Sequence, residues 1–291
     1  MMAPEYYTFT GRNGEVIPDH VTHVLIDKAL KFVRARAFQN HPRIVEVICH
    51  NGVEKIEGWA FHNCPWLRRV IMPGVKVVEQ RAFQLCMALT YIECGKLERI
   101  GQWAFCDCKS LRSIDLPSIK IVERNAFAYC NTLVNAKFGK DLESLGERAF
   151  DYCLSLERIT LPLKDGVVTD NFAFSGCYKL NHVDLVGGVH DTIDALLIEE
   201  WKNDMNEEID TISQILPNTS AGNMSGYGEK ARTIRTWISS LLRKYNNYKA
   251  EHRRYLNEAT AALQPALPND IVLKNVMPFV ELPSYTFDGE N

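Results

Sequence analysis

The sequence predicts an α/β solenoid: a stack of about seven short strand-bearing coils, followed by long helices. Three observations carry that prediction. An Ala-Phe pair recurs seven times, several apolar positions keep phase with it, and a helical period replaces the repeat after Gly187-Gly188.

The pairs are Ala37-Phe38, Ala60-Phe61, Ala82-Phe83, Ala104-Phe105, Ala126-Phe127, Ala149-Phe150 and Ala173-Phe174, with successive Phe spacings of 23, 22, 22, 22, 23 and 24 residues. Three residues after each Phe stand His41, then Cys64, Cys86, Cys108, Cys130, Cys153 and Cys177. Six after stand Ile44, Leu67, Leu89, Leu111, Leu133, Leu156 and Leu180, and five before stand Val33, Ile56, Val78, Ile100, Val122, Leu145 and Val168. A coil this short cannot bury so many apolar side chains alone, so neighbouring coils must share one interior. Nine and eleven residues after the Phe the apolar residues alternate, as in Ser113-Ile114-Asp115-Leu116, and this period of two marks a short strand with one face inward. Pro73, Pro117 and Pro162 end that strand. The stretch around each Ala-Phe has no such alternation and is expected to be a tight helical turn.

With those positions in place, Ile100 to Pro117 resembles almost in full the consensus I-G-x-x-A-F-x-x-C-x-x-L-x-x-I-x-L-P of the BspA-like leucine-rich repeats. The resemblance spans residues 15–189, about two thirds of the chain. It departs from the pattern at His41, at Ala136 in the fifth strand, and in the last unit, which carries an insertion near Lys164-Asp165-Gly166 and the extra aromatic Phe172. Atypical terminal repeats are expected, since one face there meets solvent or a cap. The resemblance implies a curved stack used as a binding surface in many microbial proteins, several of them on bacterial cell surfaces, and implies no catalysis.

Beyond residue 189 the apolar residues Ile193, Leu196, Leu197, Trp201, Met205, Ile209, Ile212 and Ile215 fall on one helical stripe from Thr192 to Leu216. Residues 217–228, rich in Asn, Ser, Thr and Gly, form the expected flexible loop. A second stripe runs over 229–263, from Ile234, Trp237 and Ile238 through Tyr245 and Tyr248 to Tyr255, and stops before Pro265. Residues 191–216 carry eight acidic residues and one basic; residues 229–263 carry three acidic and eight basic. Opposite charge and a short connection predict an antiparallel hairpin over 190–264, its apolar stripes packed together and one side covering the last coil. The same stripes could pair between two chains, which leaves self-association open. Residues 265–291 are expected to hold a short helix and a tail.

The chain has 291 residues, 33 Lys plus Arg and 36 Asp plus Glu, for a formal charge of -3. No global field therefore draws it to nucleic acid or an anionic membrane. It lacks an N-terminal signal-peptide pattern and any apolar run long enough for a membrane span. Nine Cys, an odd number, then point to reduced thiols and a cytoplasmic or nuclear setting.

The phased cysteines stand one per coil, in a row, whereas a metal needs ligands that converge. They are expected to be buried thiols donating weakly to the backbone, so no metal and no cofactor is expected. Cys106-Asp107-Cys108 adds a second thiol to one coil without changing this. No nucleophile motif, metalloprotease helix or phosphate loop is present, and the eight His sit at unrelated phases, so no enzyme is expected.

The residues that alternate with the inward strand positions are the candidate binding surface: Glu46, Ile48, Arg69, Ile71, Tyr91, Glu93, Ser113, Asp115, Asn135, Lys137, Arg158 and Thr160. They should line the sheet face and hold a protein partner, with Arg69, Ile71 and Tyr91 as the most interface-like group. Two alternatives stand beside this reading. Arg232, Arg235, Arg243, Lys244, Lys249, Arg253 and Arg254 on the basic helix could contact a nucleic-acid backbone, although the acidic helix offers them a nearer partner. Leu267 to Leu273, with Val276 and Pro278-Phe279-Val280, resembles the opening of an F-box, the module that docks a ubiquitin-ligase scaffold; a short helix folded onto the hairpin explains the same residues.

Overall fold

The computed structural model describes residues 6–12, 14–186, 189, 193, 196, 198–216 and 228–263. Its strands are β1 (Tyr6–Phe9), β2 (His23–Ile26), β3 (Phe32–Val33), β4 (Glu46–Ile48), β5 (Lys55–Ile56), β6 (Arg69–Ile71), β7 (Val77–Val78) and β8 (Tyr91–Glu93). There follow β9 (Arg99–Ile100), β10 (Ser113–Leu116), β11 (Ile121–Val122), β12 (Asn135–Phe138), β13 (Ser144–Leu145), β14 (Arg158–Leu161) and β15 (His182–Leu185). All pairings are parallel and join each coil to the next. A front sheet runs β1-β2-β4-β6-β8 and resumes as β10-β12-β14-β15, while two-residue strands form an unbroken side sheet from β3 to β13. The result is a parallel β-solenoid of about seven coils.

The interior follows the sequence phase. Phe38, Phe61, Phe83, Phe105, Phe127, Phe150 and Phe174 are buried and stack ring on ring, with centroids 4.8 to 5.8 Å apart. That distance is close to the spacing of hydrogen-bonded strands, so the rings mark the coil repeat. Phe9 on β1 extends the column beyond the first Ala-Phe unit, 4.7 Å from Phe38. The stack therefore begins earlier than the repeat count implies, because β1 and β2 continue the front sheet without an Ala-Phe turn.

The expected helical turn at Ala-Phe is not helical. Two residues before and two after the Phe, the backbone is left-handed: Arg36, Trp59, Arg81, Trp103, Asn125 and Arg148 on one side, and Asn40, Asn63, Leu85, Asp107, Tyr129 and Tyr152 on the other. Turning alternately in this way, the chain aims every second amide at the next coil, as in Trp59 N–H to Gln80 O at 3.0 Å, Phe61 N–H to Ala82 O at 2.8 Å and Asn63 N–H to Gln84 O at 2.8 Å. A right-handed helical turn would spend those amides within the coil. The period of two is thus present in the backbone, although hydropathy does not reveal it.

Each Cys of the repeat serves the same ladder. Cys64, Cys86, Cys108, Cys130, Cys153 and Cys177 donate from Sγ to the Phe carbonyl of the preceding coil at 3.0 to 3.4 Å. In the first coil His41 takes this role, its Nε2 3.2 Å from Pro18 O. With Nε2 facing a carbonyl, it carries the proton and donates. All nine cysteines are buried and unpaired. Among the glycines, Gly139 lies closest against a neighbouring coil: a Cβ there would stand 1.8 Å from Pro117 O.

Among the described residues that follow, the helices are α1 (Glu199–Asp210), α2 (Ile212–Ile215) and α3 (Glu229–Leu263). The first stripe is interrupted at Thr211, and its last member, Ile215, is 49% exposed, contrary to the single buried stripe expected. Where α1 and α3 meet they run antiparallel, since Glu208 lies against Trp237 and Lys244, Asp204 against Lys244 and Tyr248, and Trp201 against Tyr248 and Tyr255. Trp237, Ile238, Leu241 and Tyr245 carry the buried face of α3. Its N-terminal part lies on the last coil, where Arg235 reaches Asn171, Ser239 Oγ stands 3.3 Å from Asp165 Oδ1, and Lys230 donates to Tyr178 O and Leu180 O. Among the described residues no helix is long and apolar enough to cross a membrane. The loop expected at 217–228, apart from Gly228, and the F-box-like segment lie outside the described residues.

Candidate interaction surface

The front sheet places the twelve candidate residues in two outward rows. In the N-terminal block Glu46, Arg69 and Tyr91 pair in register, and beside them Ile48, Ile71 and Glu93. In the C-terminal block Ser113, Asn135 and Arg158 form one row and Asp115, Lys137 and Thr160 the other. Exposure differs along these rows. Arg69, Tyr91, Glu93, Ser113, Asp115, Asn135, Lys137 and Arg158 are exposed, whereas Glu46, Ile48, Ile71 and Thr160 are half-buried. Ile71, expected as an exposed apolar neighbour, is thus partly covered.

A connected group crosses the N-terminal block. Tyr6 donates its hydroxyl to Glu46, Arg69 Nε approaches the other Glu46 oxygen at 3.3 Å, and the Arg69 guanidinium lies 5.1 Å over the Tyr91 ring. His23 meets Tyr6 edge-on at 5.2 Å. The hydrogen bond to the Glu46 carboxylate, followed by burial, raises the Tyr6 hydroxyl pKa, so Tyr6 stays a donor. Tyr6 and His23 lie outside the twelve candidate positions. The run Tyr6-Tyr7-Thr8-Phe9 is rich in strand formers, a signal that lay outside the repeat phase.

Between β8 and β10 the front sheet opens. At the other junctions the amide seven residues after the Phe donates to the neighbouring coil, as Thr90 N–H does to Arg68 O at 3.0 Å and Val134 N–H to Arg112 O at 2.8 Å. The amide of Arg112 makes no such bond to Thr90. The opening is local, since the side sheet pairs Val78 with Ile100 and Ile100 with Val122 without interruption, and Phe83 and Phe105 remain 5.2 Å apart. Ile92, the inward residue of β8, is half-buried there instead of fully covered. Tyr91 and Glu93 on one side, and Ser113 and Asp115 on the other, therefore border strand edges whose facing backbone groups lack a strand partner among the described residues.

A family model for the BspA type leucine rich repeat region matches six copies in this chain, over residues 19–133 and 98–200. The chain belongs to the BspA-type leucine-rich-repeat family. Among solved structures, a leucine-rich repeat protein from Bacteroides ovatus is 25% identical with a TM-score of 0.50, covering 57% of this chain and 43% of that one. The leucine-rich repeat protein of T. pallidum is 27% identical with a TM-score of 0.45, covering 48% of this chain and 69% of that one. The chain thus spans less than half the length of the B. ovatus protein. No curated protein matches it.

Three thiols of this BspA-type stack are poorly suited to nucleophilic chemistry. Burial pushes Cys49, Cys64 and Cys94 up to about 12, leaving the thiolate scarce at neutral pH. Among the described residues no group of three or more His, Cys, Asp or Glu could hold a metal ion. The basic residues of α3 divide between several tasks. Lys244 pairs with Asp204 at 2.8 Å and Glu208 at 3.4 Å, Lys230 and Arg235 bind the last coil, and Lys249 and Arg254 lie over Tyr245 and Tyr255. The acidic helix therefore engages Lys244 of this set, and the last coil engages more of it than charge alone foretold.

Proposed function

We propose that this protein is a non-enzymatic interaction module that holds a protein partner against its front sheet. The observation that carries the reading is the Glu46–Arg69–Tyr91 group beside the open sheet edge. An exposed Tyr and Arg, held in place before binding, stand next to backbone groups with no strand partner among the described residues. Little ordering entropy is lost when such a surface binds. Arg and Tyr are also the residue types that most often dominate interface energies. Membership of a repeat family with an extended sheet supports this reading, although fold alone names no partner.

Affinity capture with mass spectrometry identifies partners, and the triple substitution Arg69→Ala, Ile71→Ala, Tyr91→Ala then tests the surface. Recovery of the captured protein should fall at least tenfold while the circular dichroism is retained. Unchanged recovery would place the contact elsewhere. A reducing, intracellular compartment is part of the same proposal, supported by six thiols used as hydrogen-bond donors. Recovery of the protein with the cell envelope on fractionation would overturn that part.

A further inference from the structure

At the Ala-Phe turns, on a face the front sheet does not include, the left-handed position two residues before each Phe forms a column of its own. In the first four coils it reads Arg36, Trp59, Arg81 and Trp103. The Arg36 guanidinium lies 5.9 Å from the Trp59 ring, Arg81 lies 4.7 Å from Trp59 on the next coil, and Arg81 stands 5.9 Å from Trp103. His62 packs on Trp59 at 4.6 Å. Cations and rings thus alternate along four consecutive coils.

One further observation separates this column from an ordinary solvated surface. Neither Arg36 nor Arg81 has a carboxylate partner among the described residues. The nearby carboxylates are engaged, since Glu57 accepts from Ala35 N–H, while Glu79 accepts from Gly58 N–H and pairs with Lys55. Stacking occupies the face of a guanidinium and leaves its N–H edge free to bind a carboxylate with two parallel hydrogen bonds. The left-handed backbone at these four positions, φ 55 to 64°, is that of the Ala-Phe turns in general and keeps the column in step with the coils.

We propose that Arg36, Trp59, Arg81 and Trp103 form a second docking surface, which takes an extended acidic segment of a protein partner. The two guanidinium groups are two coils apart, about 10 Å at the strand spacing. Three residues of a chain extended in the polyproline-II form, which makes one turn in three residues, span about 9 Å and bring the side chain back to the same face, so carboxylates at every third residue would meet both arginines. A nucleic-acid strand would need an open ring for its bases to stack on, and Arg36, Arg81 and His62 already lie against Trp59.

The test uses the full chain and a fluorescein-labelled peptide of repeated Glu-Thr-Thr, with a Gln-Thr-Thr peptide and an oligothymidylate as comparators, followed by fluorescence anisotropy. The acidic peptide should bind, and Arg36→Gln with Arg81→Gln should weaken it at least tenfold. Trp59→Leu, which keeps both charges and removes the ring between them, should weaken it severalfold. Arg253→Gln with Arg254→Gln on α3 should leave it unchanged. Equal affinity in the Arg36→Gln/Arg81→Gln protein, an equal loss from the α3 pair, or tighter binding of the oligothymidylate than of the acidic peptide would each overturn the proposal.

Discussion

The first coil is closed by β1, whose Phe9 ring joins the phenylalanine column and whose backbone pairs with β2 in register from Tyr6 to Phe9. The last coil is closed by helices: α2 lies against β15, and α3 brings Lys230 and Arg235 to the carbonyls of Tyr178, Leu180 and Thr169. The difference shows what an open coil requires. Its apolar interior must be covered, and the carbonyls that would have met the next coil must find donors. A strand meets both needs by repeating the coil's own geometry. A helix covers the interior equally well but spends its amides on its own carbonyls. Donors for the coil must then come from side chains, and the long cationic ones reach furthest.

The most disruptive way to break this comparison is Phe9→Ala. Removing a buried ring costs roughly 3–5 kcal/mol in a rigid core, and the lower figure is expected where an end can collapse. In a stack whose units touch only their neighbours, the loss should stay local. Hydrogen exchange should quicken around Phe38 to His41 and remain unchanged around Phe174 to Leu180. Equal loss at both ends would mean that the stack opens as one cooperative body, and that its two closures are not independent.

The fate of these two ends also separates what the sequence revealed from what it hid. Seven phenylalanines and six cysteines in phase were legible because burial constrains side-chain type, and every one of them is buried. His41 was visible as a departure, but its use of Nε2 where the others use Sγ needs the position of Pro18. The left-handed turns left a faint trace in Asn40, Asn63 and Asn125; the Trp, Arg, Leu and Tyr residues at equivalent positions masked it. The opening between β8 and β10 left no trace, because Tyr91-Ile92-Glu93 alternates like any other strand of the stack. On the front sheet the outward positions followed from period two alone, whereas the link from Tyr6 to Glu46 depends on a strand that carries no repeat mark. Lys230 was counted among charges facing an acidic helix, and a charge count does not show which residues point at the last coil.

Lys230→Met tests the cationic closure. The variant keeps the apolar stem and removes the donor from two carbonyls beneath α3, so a loss of about 2 kcal/mol is expected at neutral pH, within the usual 1–3 kcal/mol for an unsatisfied buried group. The effect should depend on pH. Burial lowers the pKa of Lys230, so between its folded-state value and about 10.4 the unfolded chain binds more protons. Wild-type stability from this site therefore grows as pH rises through that window, and methionine has no such dependence. Urea unfolding of both proteins from pH 7 to pH 10 should show the gap between them widening. A constant gap would assign Lys230 to packing alone.

The mid-stack counterpart of Lys230 is Thr132, and the smallest prediction compares the two. Thr132 Oγ1 donates to Lys109 O at 2.7 Å and to Leu111 O at 3.1 Å, four and six residues after Phe105. Tyr178 and Leu180 hold the same two positions after Phe174, so the ammonium of Lys230 stands where the hydroxyl of a further coil would have stood. Thr132 is exposed, and water can replace its hydroxyl once it is gone. Thr132→Val keeps the branched shape and should cost about 0.5–1 kcal/mol, less than Lys230→Met and with no change between pH 7 and pH 10. If the threonine variant instead lost as much as the lysine variant, the donor position itself would set the energy. If only the lysine variant were affected, and with the expected slope in pH, burial beneath α3 would be what makes the closing donor costly to remove.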